Sequence, residues 1–426
     1  MAANTDAAVD ACPAGSGADT INLPAGNYTL SLVGEDDDAS AGDLDITQDL
    51  TLTGAGLFQT TMDANGIDRV IQILSNASVQ ISRVTVTGGN PSNAIGGNIY
   101  LYQGSLTLTR SRVWHRTASA AISASPLATA LTVLESRIRD NTGSGVKITG
   151  NATALIANST ISGNATDGAG GGVNGGTLII VNSTISGNSS AFDGGGVYAS
   201  LGAVYLYNVT ITNNIADSDN DSFGSGGGIA VFSPGSLTAR NTIIAGNIDN
   251  SNPGNVLPDC MGVMISKGYN LIQNVTCTIT GDSTGNITSR GAVLGPLQDN
   301  GGPTFTHALL TNSPAIDAGN PAGCTDQNGT LLDTDQRGYV RNGVCDMGAY
   351  EYDSAGTPTP TNTTLPPTAS PTSTNTTLPP TATRTPSSAT STASPTLTNT
   401  PVISPTPSPD GTLSADPQIY LPFILR

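Results

Sequence analysis

The side chains best suited to chemistry fall into a cationic group and an acidic one. Arg112, Arg116, Arg137 and Arg139 occupy matching places about one repeat apart, with Asp140 beside the last. Such a cluster could supply the base of a lyase or pair with an acidic sugar through charge-assisted hydrogen bonds. Asp217, Asp219 and Asp221 alternate ahead of Gly224, as in a loop that offers hard oxygen ligands to Ca²⁺; a solvated acidic insertion looks the same. Glu35-Asp-Asp-Asp38 is a second, weaker acidic loop. The two histidines are His115, next to the only tryptophan, Trp114, and His307. Hydrolase chemistry on sugars needs clustered carboxylates, yet Asp167 and Asp193 are the only ones between residues 150 and 215. No residue is therefore assigned as catalytic. The face from Arg112 to Asp140 is the candidate should the chain be an enzyme.

A repeat positions these residues. Asn158-Ser-Thr-Ile-Ser-Gly-Asn164 recurs unchanged as Asn182-Ser-Thr-Ile-Ser-Gly-Asn188. The slot continues as Asn208-Val-Thr-Ile-Thr-Asn-Asn214 and Asn241-Thr-Ile-Ile-Ala-Gly-Asn247, and degrades backward through positions 141, 116 and 87. A period of about 24 residues is the mark of a solenoid. The runs between are short, β-branched and alternating, as in Ala203-Val-Tyr-Leu-Tyr207, and no 3.6-residue apolar period appears. Glycine clusters at 170–172, 194–196 and 226–228 supply turns. The fold class read from this is all-β: a right-handed parallel β-helix of three-strand coils, stacked about 4.8 Å apart. Asn141, Asn164, Asn188, Asn214 and Asn247 are expected to stack as a structural ladder at one corner, with a ligand-facing role second.

Composition agrees. Aromatics are 4% and charged residues 11%, while Gly numbers 51. A net charge of −17 with only two lysines, Lys147 and Lys267, excludes a nucleic-acid footprint and favours solubility, Ca²⁺ or neutral partners. No run of about 20 apolar residues offers a transmembrane segment. Residues 1–20 lack a basic stretch followed by an apolar one, which reads as an incomplete N-terminus.

The changes in pattern divide the chain into five segments: 1–80, first coils and cap; 81–254, regular coils; 255–353, a cysteine-bearing C-terminal region; 354–417, a Thr/Pro/Ser tract; and 418–426. The tract carries an internal copy, Thr361-Asn-Thr-Thr-Leu-Pro-Pro-Thr-Ala369 and Thr374-Asn-Thr-Thr-Leu-Pro-Pro-Thr-Ala382. It reads as a disordered, extended stalk. The ending Ile419-Tyr-Leu-Pro-Phe-Ile-Leu-Arg426 reads as a sorting signal or a sticky end.

Three resemblances add to this. The stretches Leu23-Pro-Ala-Gly-Asn-Tyr28 and Gly42-Asp-Leu-Asp-Ile46 resemble the opening strands of secreted bacterial β-helix proteins with a CSLREA-type leader, although that leader element is missing here. Gly-Gly-Gly-[Val/Ile] followed by Ser-x-Ile-x-x-Asn is similar to repeats of polymorphic outer-membrane proteins. The set Gly268-Tyr-Asn-Leu-Ile272, Leu294-Gly-Pro-Leu-Gln-Asp-Asn-Gly-Gly-Pro303, Ser313-Pro-Ala-Ile-Asp-Ala-Gly319, Asp335-Gln-Arg-Gly338 and Cys345-Asp-Met-Gly-Ala-Tyr-Glu351 resembles the choice-of-anchor Q domain. That resemblance implies a secreted or cell-surface protein with no known catalytic activity, and a structural cap in which Asp317, Asp335 and Arg337 form a buried ion network. Cysteine usage also fits export, and we expect Cys260–Cys277 and Cys324–Cys345 to pair, with Cys12 left over. The reading is a monomeric, non-catalytic β-helix that adheres to polysaccharide or another surface. Trp114, Tyr100, Tyr102, Tyr198, Tyr205 and Tyr207 are its candidate sugar-stacking residues. The alternative is a polysaccharide lyase or glycoside hydrolase of the pectate-lyase or polygalacturonase kind.

Overall fold

A computed structural model describes residues 17–34, 37, 40–92, 95–114, 119–251 and 256–352. Cys12, Glu35, Asp36, Asp38, His115, Arg116, the Thr/Pro tract and the C-terminal octapeptide lie outside the described residues. The rest is built around three parallel sheets; the first nine coils contribute one strand to each, and the last two coils one strand to the first and second only. The first sheet has 11 strands, from Asp19–Leu23 to Thr278–Asp282, and the second has 11, from Gly26–Thr29 to Ile287–Thr288. The third has 9, from Leu44–Ile46 to Cys260–Met261, and a short fourth sheet of 4 strands lies at the corner between the second and third. Coils therefore continue past residue 254, the expected boundary. Beyond Thr288 the chain forms a hairpin, Leu294–Gln298 with Thr306–Leu309, and then an irregular segment to residue 352. Cys260–Cys277 and Cys324–Cys345 are the disulfides, one in the last coils and one in that segment.

The heptapeptide repeat explains the coil position by position. Its central isoleucine points inward: Ile138, Ile161, Ile185, Ile211, Ile244 and Ile272 lie in register on the second sheet, each 0 or 1% exposed. Its first residue turns the corner from the first sheet to the second with positive φ (50° at Asn158, 43° at Asn182, 56° at Asn208, 49° at Asn241). Asparagine tolerates that left-handed conformation best after glycine. The serine after it forms a ladder, since the amides of Ser111, Ser136 and Ser159 donate to the hydroxyls of Ser136, Ser159 and Ser183 at 3.0, 3.1 and 3.1 Å. The threonine and final serine face outward from the second sheet.

The closing asparagine forms the second ladder. The side-chain amides of Asn141, Asn164, Asn188 and Asn214 donate to the carbonyl oxygens of Asn164, Asn188, Asn214 and Asn247 at 2.7, 2.9, 2.9 and 2.9 Å. Each of those oxygens also accepts a backbone N–H from the preceding coil. The ends are completed from a different corner: Asn98 donates to Asn141 at 3.4 Å, and Asp259 accepts from Asn247 at 2.9 Å. Asn98 and Asp259 share one column, immediately before the third-sheet strands, with Gly145, Gly172, Gly196 and Gly228 between them. A Cβ on Gly196 would lie 3.0 Å from the Asn214 amide nitrogen and 2.5 Å from the Gly228 carbonyl. The third glycine of each triplet is thus glycine because the ladder occupies its side-chain space. Where no ladder asparagine stands, that column instead supplies Asn98 or Asp259.

These ladders are buried, and an unpaired buried amide costs about 1–3 kcal/mol. Asn188→Ala is expected to lower stability by about that amount in urea unfolding, and Gly196→Ala by at least as much through the backbone contact. Thr129→Ala, at an exposed position, should change it by less than about 0.5 kcal/mol.

Candidate functional site

Stacked coils turn the outward positions of each strand into columns, so each sheet presents its own face. On the second sheet Arg112 pairs in register with Arg137, and Trp114 with Arg139. The columns continue through Thr160, Thr184, Thr210, Ile243 and Leu271, and through Ser162, Ser186, Thr212 and Ala245. The segment after Thr288 lies across this face. Arg137 donates to the Pro303 carbonyl at 3.0 and 2.9 Å and stacks 4.1 Å from the Phe305 ring centre. Gln336 is buried between Thr160, Thr184 and Thr304, accepting from Thr184 at 2.6 Å and donating to the other two at 3.0 and 2.9 Å. Ala349 donates its amide to Thr210, and Ile243, Ala245 and Leu271 join Ala292, Leu309, Ala315 and Met347 in a second apolar core. His307 is sealed inside: Nδ1–H donates to the Gly295 carbonyl at 2.7 Å, so Nε2 accepts from Ser186 at 2.8 Å, and burial lowers the imidazole pKa. One sequence signal pointed to this cover. The outward Thr and Ser of the repeat become Ile243 and Ala245 where apolar contact replaces water.

The arginine cluster is thereby divided. Arg137 is tied to the covering segment, Arg139 pairs with Asp140 at 2.6 Å, and Arg110 pairs with Glu135 at the neighbouring corner. Arg112 is partly buried, stacked on Trp114 and Phe58. Within the covering segment the ion pairs are Arg337–Asp335 at 2.7 Å and Arg341–Glu351 at 2.9 Å. Asp317 is not part of that pairing, contrary to expectation. Asp317 is exposed, and only its backbone amide reaches inward, donating to Asp346 at 2.7 Å.

The acidic loop brings Asp217, Asp219 and Asp221 together, with ligand oxygens within 4.8 Å of one another. Asp217 is buried and Asp219 and Asp221 are exposed. Both Asp217 oxygens accept the Ser222 amide, at 3.2 and 3.1 Å, and Asp221 accepts from Phe223. Backbone amides of the loop thus engage Asp217 and one oxygen of Asp221.

The third sheet is open. Its outward column runs Gln72, Tyr100, Ser123, Lys147, Asn174 and Tyr198 in register. Between this column and the loops carrying Ile95 and Asp167 lies a groove of about 500 Å³. Tyr100 is held from behind by Arg69, 5.6 Å from its ring centre, itself fixed by the buried 2.7 Å pair with Asp43. Lys147 and Asp167 are exposed on the groove and form no ion pair among the described residues. The expected aromatics do not form one stripe: Tyr100, Tyr102 and Tyr198 belong to the third sheet or its turn, Trp114 to the second, and Tyr205 and Tyr207 to the first.

Residues 69–248 match the family model described as the right handed beta helix region. That stretch, with its unbroken parallel sheets, makes the chain a right-handed parallel β-helix repeat protein. No curated protein and no solved structure matches the chain. Among the described residues, no helix is long and apolar enough to cross a membrane.

Burial raises six carboxyls among the described residues, including Asp43 and Asp346 to about 6 and Glu351 to about 7. Arginine partners or amide donors oppose the shift in each case. A carboxyl raised in the folded state binds its proton more tightly there than in the unfolded chain, so it contributes most stability below the unfolded pKa. That contribution is lost as pH climbs through the folded value. Stability measured by denaturant unfolding is therefore expected to fall between about pH 4 and pH 7, and Glu351→Gln should flatten the upper part of that slope.

Proposed function

We propose that the chain is a non-catalytic, secreted or cell-surface β-helix rod that binds carbohydrate through the open third-sheet groove. The observation carrying this reading is the groove itself. It joins an aromatic ring anchored by Arg69 (Tyr100) to a column of polar groups (Ser123, Lys147, Asn174) and an exposed carboxylate (Asp167). An apolar ring face beside a few fixed donors and acceptors suits a sugar, which offers C–H patches and hydroxyls together. Parallel stacking repeats such groups every ~4.8 Å along the face, a spacing compatible with a chain-like ligand. Two disulfides are compatible with an oxidising compartment, and the resemblance of 255–353 to choice-of-anchor domains supports display at a surface. On this reading the cell that displays the protein adheres through the glycans it meets.

The test is calorimetric titration of the full chain against neutral and acidic oligosaccharides, with product analysis on the same mixtures. Saturable binding without turnover is expected, and Tyr100→Ala or Lys147→Ala should weaken it by about tenfold or more, roughly 1.4 kcal/mol, with an unchanged circular dichroism spectrum. New reducing ends or the ultraviolet absorbance of unsaturated uronides would replace this reading with the lyase or hydrolase one. Absence of binding to any glycan would remove it.

A further inference from the structure

Resting on the carbohydrate reading of the groove, we propose that its ligand is an extended glycan chain laid along the rod and gripped at two places: by the pair Tyr100–Tyr102, and by a second aromatic pair, Tyr198–Phe232, beyond the end of the groove. Tyr100, Ser123, Lys147, Asn174 and Tyr198 are the outward residues of consecutive third-sheet strands, paired in register. The groove is lined from Tyr100 to Asn174, so Tyr198 is the next residue of the column past its end. Each tyrosine has a tilted ring against it. Tyr102, just after the strand Ile99–Leu101, lies 5.9 Å from Tyr100 at 51°, and Phe232, just after the strand Ile229–Val231, lies 5.6 Å from Tyr198 at 52°. Tyr102 is 38% exposed and Phe232 37%, so each pair presents ring surface to solvent. No cation stacks on Tyr198 or Phe232 among the described residues.

The spacing selects the ligand. Four strand steps separate Tyr100 from Tyr198, about 19 Å at ~4.8 Å each. A disaccharide is too short to touch both tyrosines, whereas a hexasaccharide spans them. Its C–H faces would pack on the two aromatic pairs, and the hydroxyls between would meet the polar run Ser123, Lys147 and Asn174. Lys147 is exposed and stands midway, two strands from either tyrosine. Once one end of such a chain is held, the second contact is intramolecular and adds affinity that no short ligand can collect.

The test is calorimetric titration of the full chain with cellobiose and cellohexaose, and with digalacturonate and hexagalacturonate. In the series that binds, the hexasaccharide is expected to bind about tenfold or more tighter than the disaccharide. A longer chain also offers more overlapping registers on a single site, and that statistical gain needs no second contact. Tyr198→Ala separates the two effects: it should cost the hexasaccharide about tenfold and leave the disaccharide unchanged. Tyr198→Phe should restore the loss, because the ring makes the contact and the hydroxyl does not. If Tyr198→Ala fails to give the folded circular dichroism spectrum, Phe232→Ala replaces it with the same expectation. Equal affinity for the two lengths, or a length gain that survives in the folded variant, would overturn the proposal while leaving the groove as a sugar site. No binding in either series would overturn both.

Discussion

Each regular coil buries the amide of its closing asparagine, which finds partners at the same position in the coils before and after it and in nearby backbone carbonyls. The carbonyl oxygen takes both the side-chain and backbone N–H of the preceding coil, and the nitrogen reaches forward. In an apolar interior such a group must be satisfied, so the ladder fixes register along the rod. A slip of one residue would strand several amides at once and turn every inward isoleucine outward. The remaining features of the coil accommodate this arrangement. The glycine triplet clears space for it, the left-handed asparagine and the serine ladder set the opposite corner, and Asn98 and Asp259 close the column where the repeat gives out.

Fixed register is also what gives the rod distinct faces. Because outward residues stack in columns, a chemical difference between strands becomes a continuous stripe. The second-sheet stripe of threonine and serine is taken up by the C-terminal segment, through Gln336, His307 and the backbone of 303–305 and 349. Among the described residues the third-sheet stripe has no such cover in the region from Tyr100 to Asn174, and there the groove forms. The covering segment thus occupies the second-sheet face, and the groove lies on another face of the same coils.

The repeat, the three-strand coil and the low aromatic and charged content were legible in the sequence, because a period of about 24 residues has few other physical solutions. The closing asparagine was legible for the same reason. The first asparagine of the heptapeptide was not, since a left-handed corner leaves no periodic trace apart from residue type, and Arg110 and Glu135 occupy the same conformation at earlier coils. Nor was the extent of the coils. Gly268-Tyr-Asn-Leu-Ile272 looks unlike the repeat, yet Leu271 and Ile272 pair in register with Ile243 and Ile244, because pairing uses the backbone and an inward apolar residue and little else. The contact between Arg137 and residues 303–305 joins segments 166 positions apart, and only the chemistry of Ile243 and Ala245 hinted that something lay on that face.

The scarcity of cations makes their placement informative. Arg69, Arg110, Arg139, Arg337 and Arg341 are committed to carboxylates, and Arg137 to a carbonyl and a ring. Arg112 is stacked on two rings, whereas Lys147 forms no ion pair among the described residues and stands exposed on the groove that Tyr100 also lines. Repulsion of an acidic ligand by a net charge of −17 is long-ranged and is screened beyond about 10 Å at 0.1 M salt, whereas a contact made at the groove is shorter than that. Moderate salt therefore removes more of the long-range repulsion than of a close contact to Lys147.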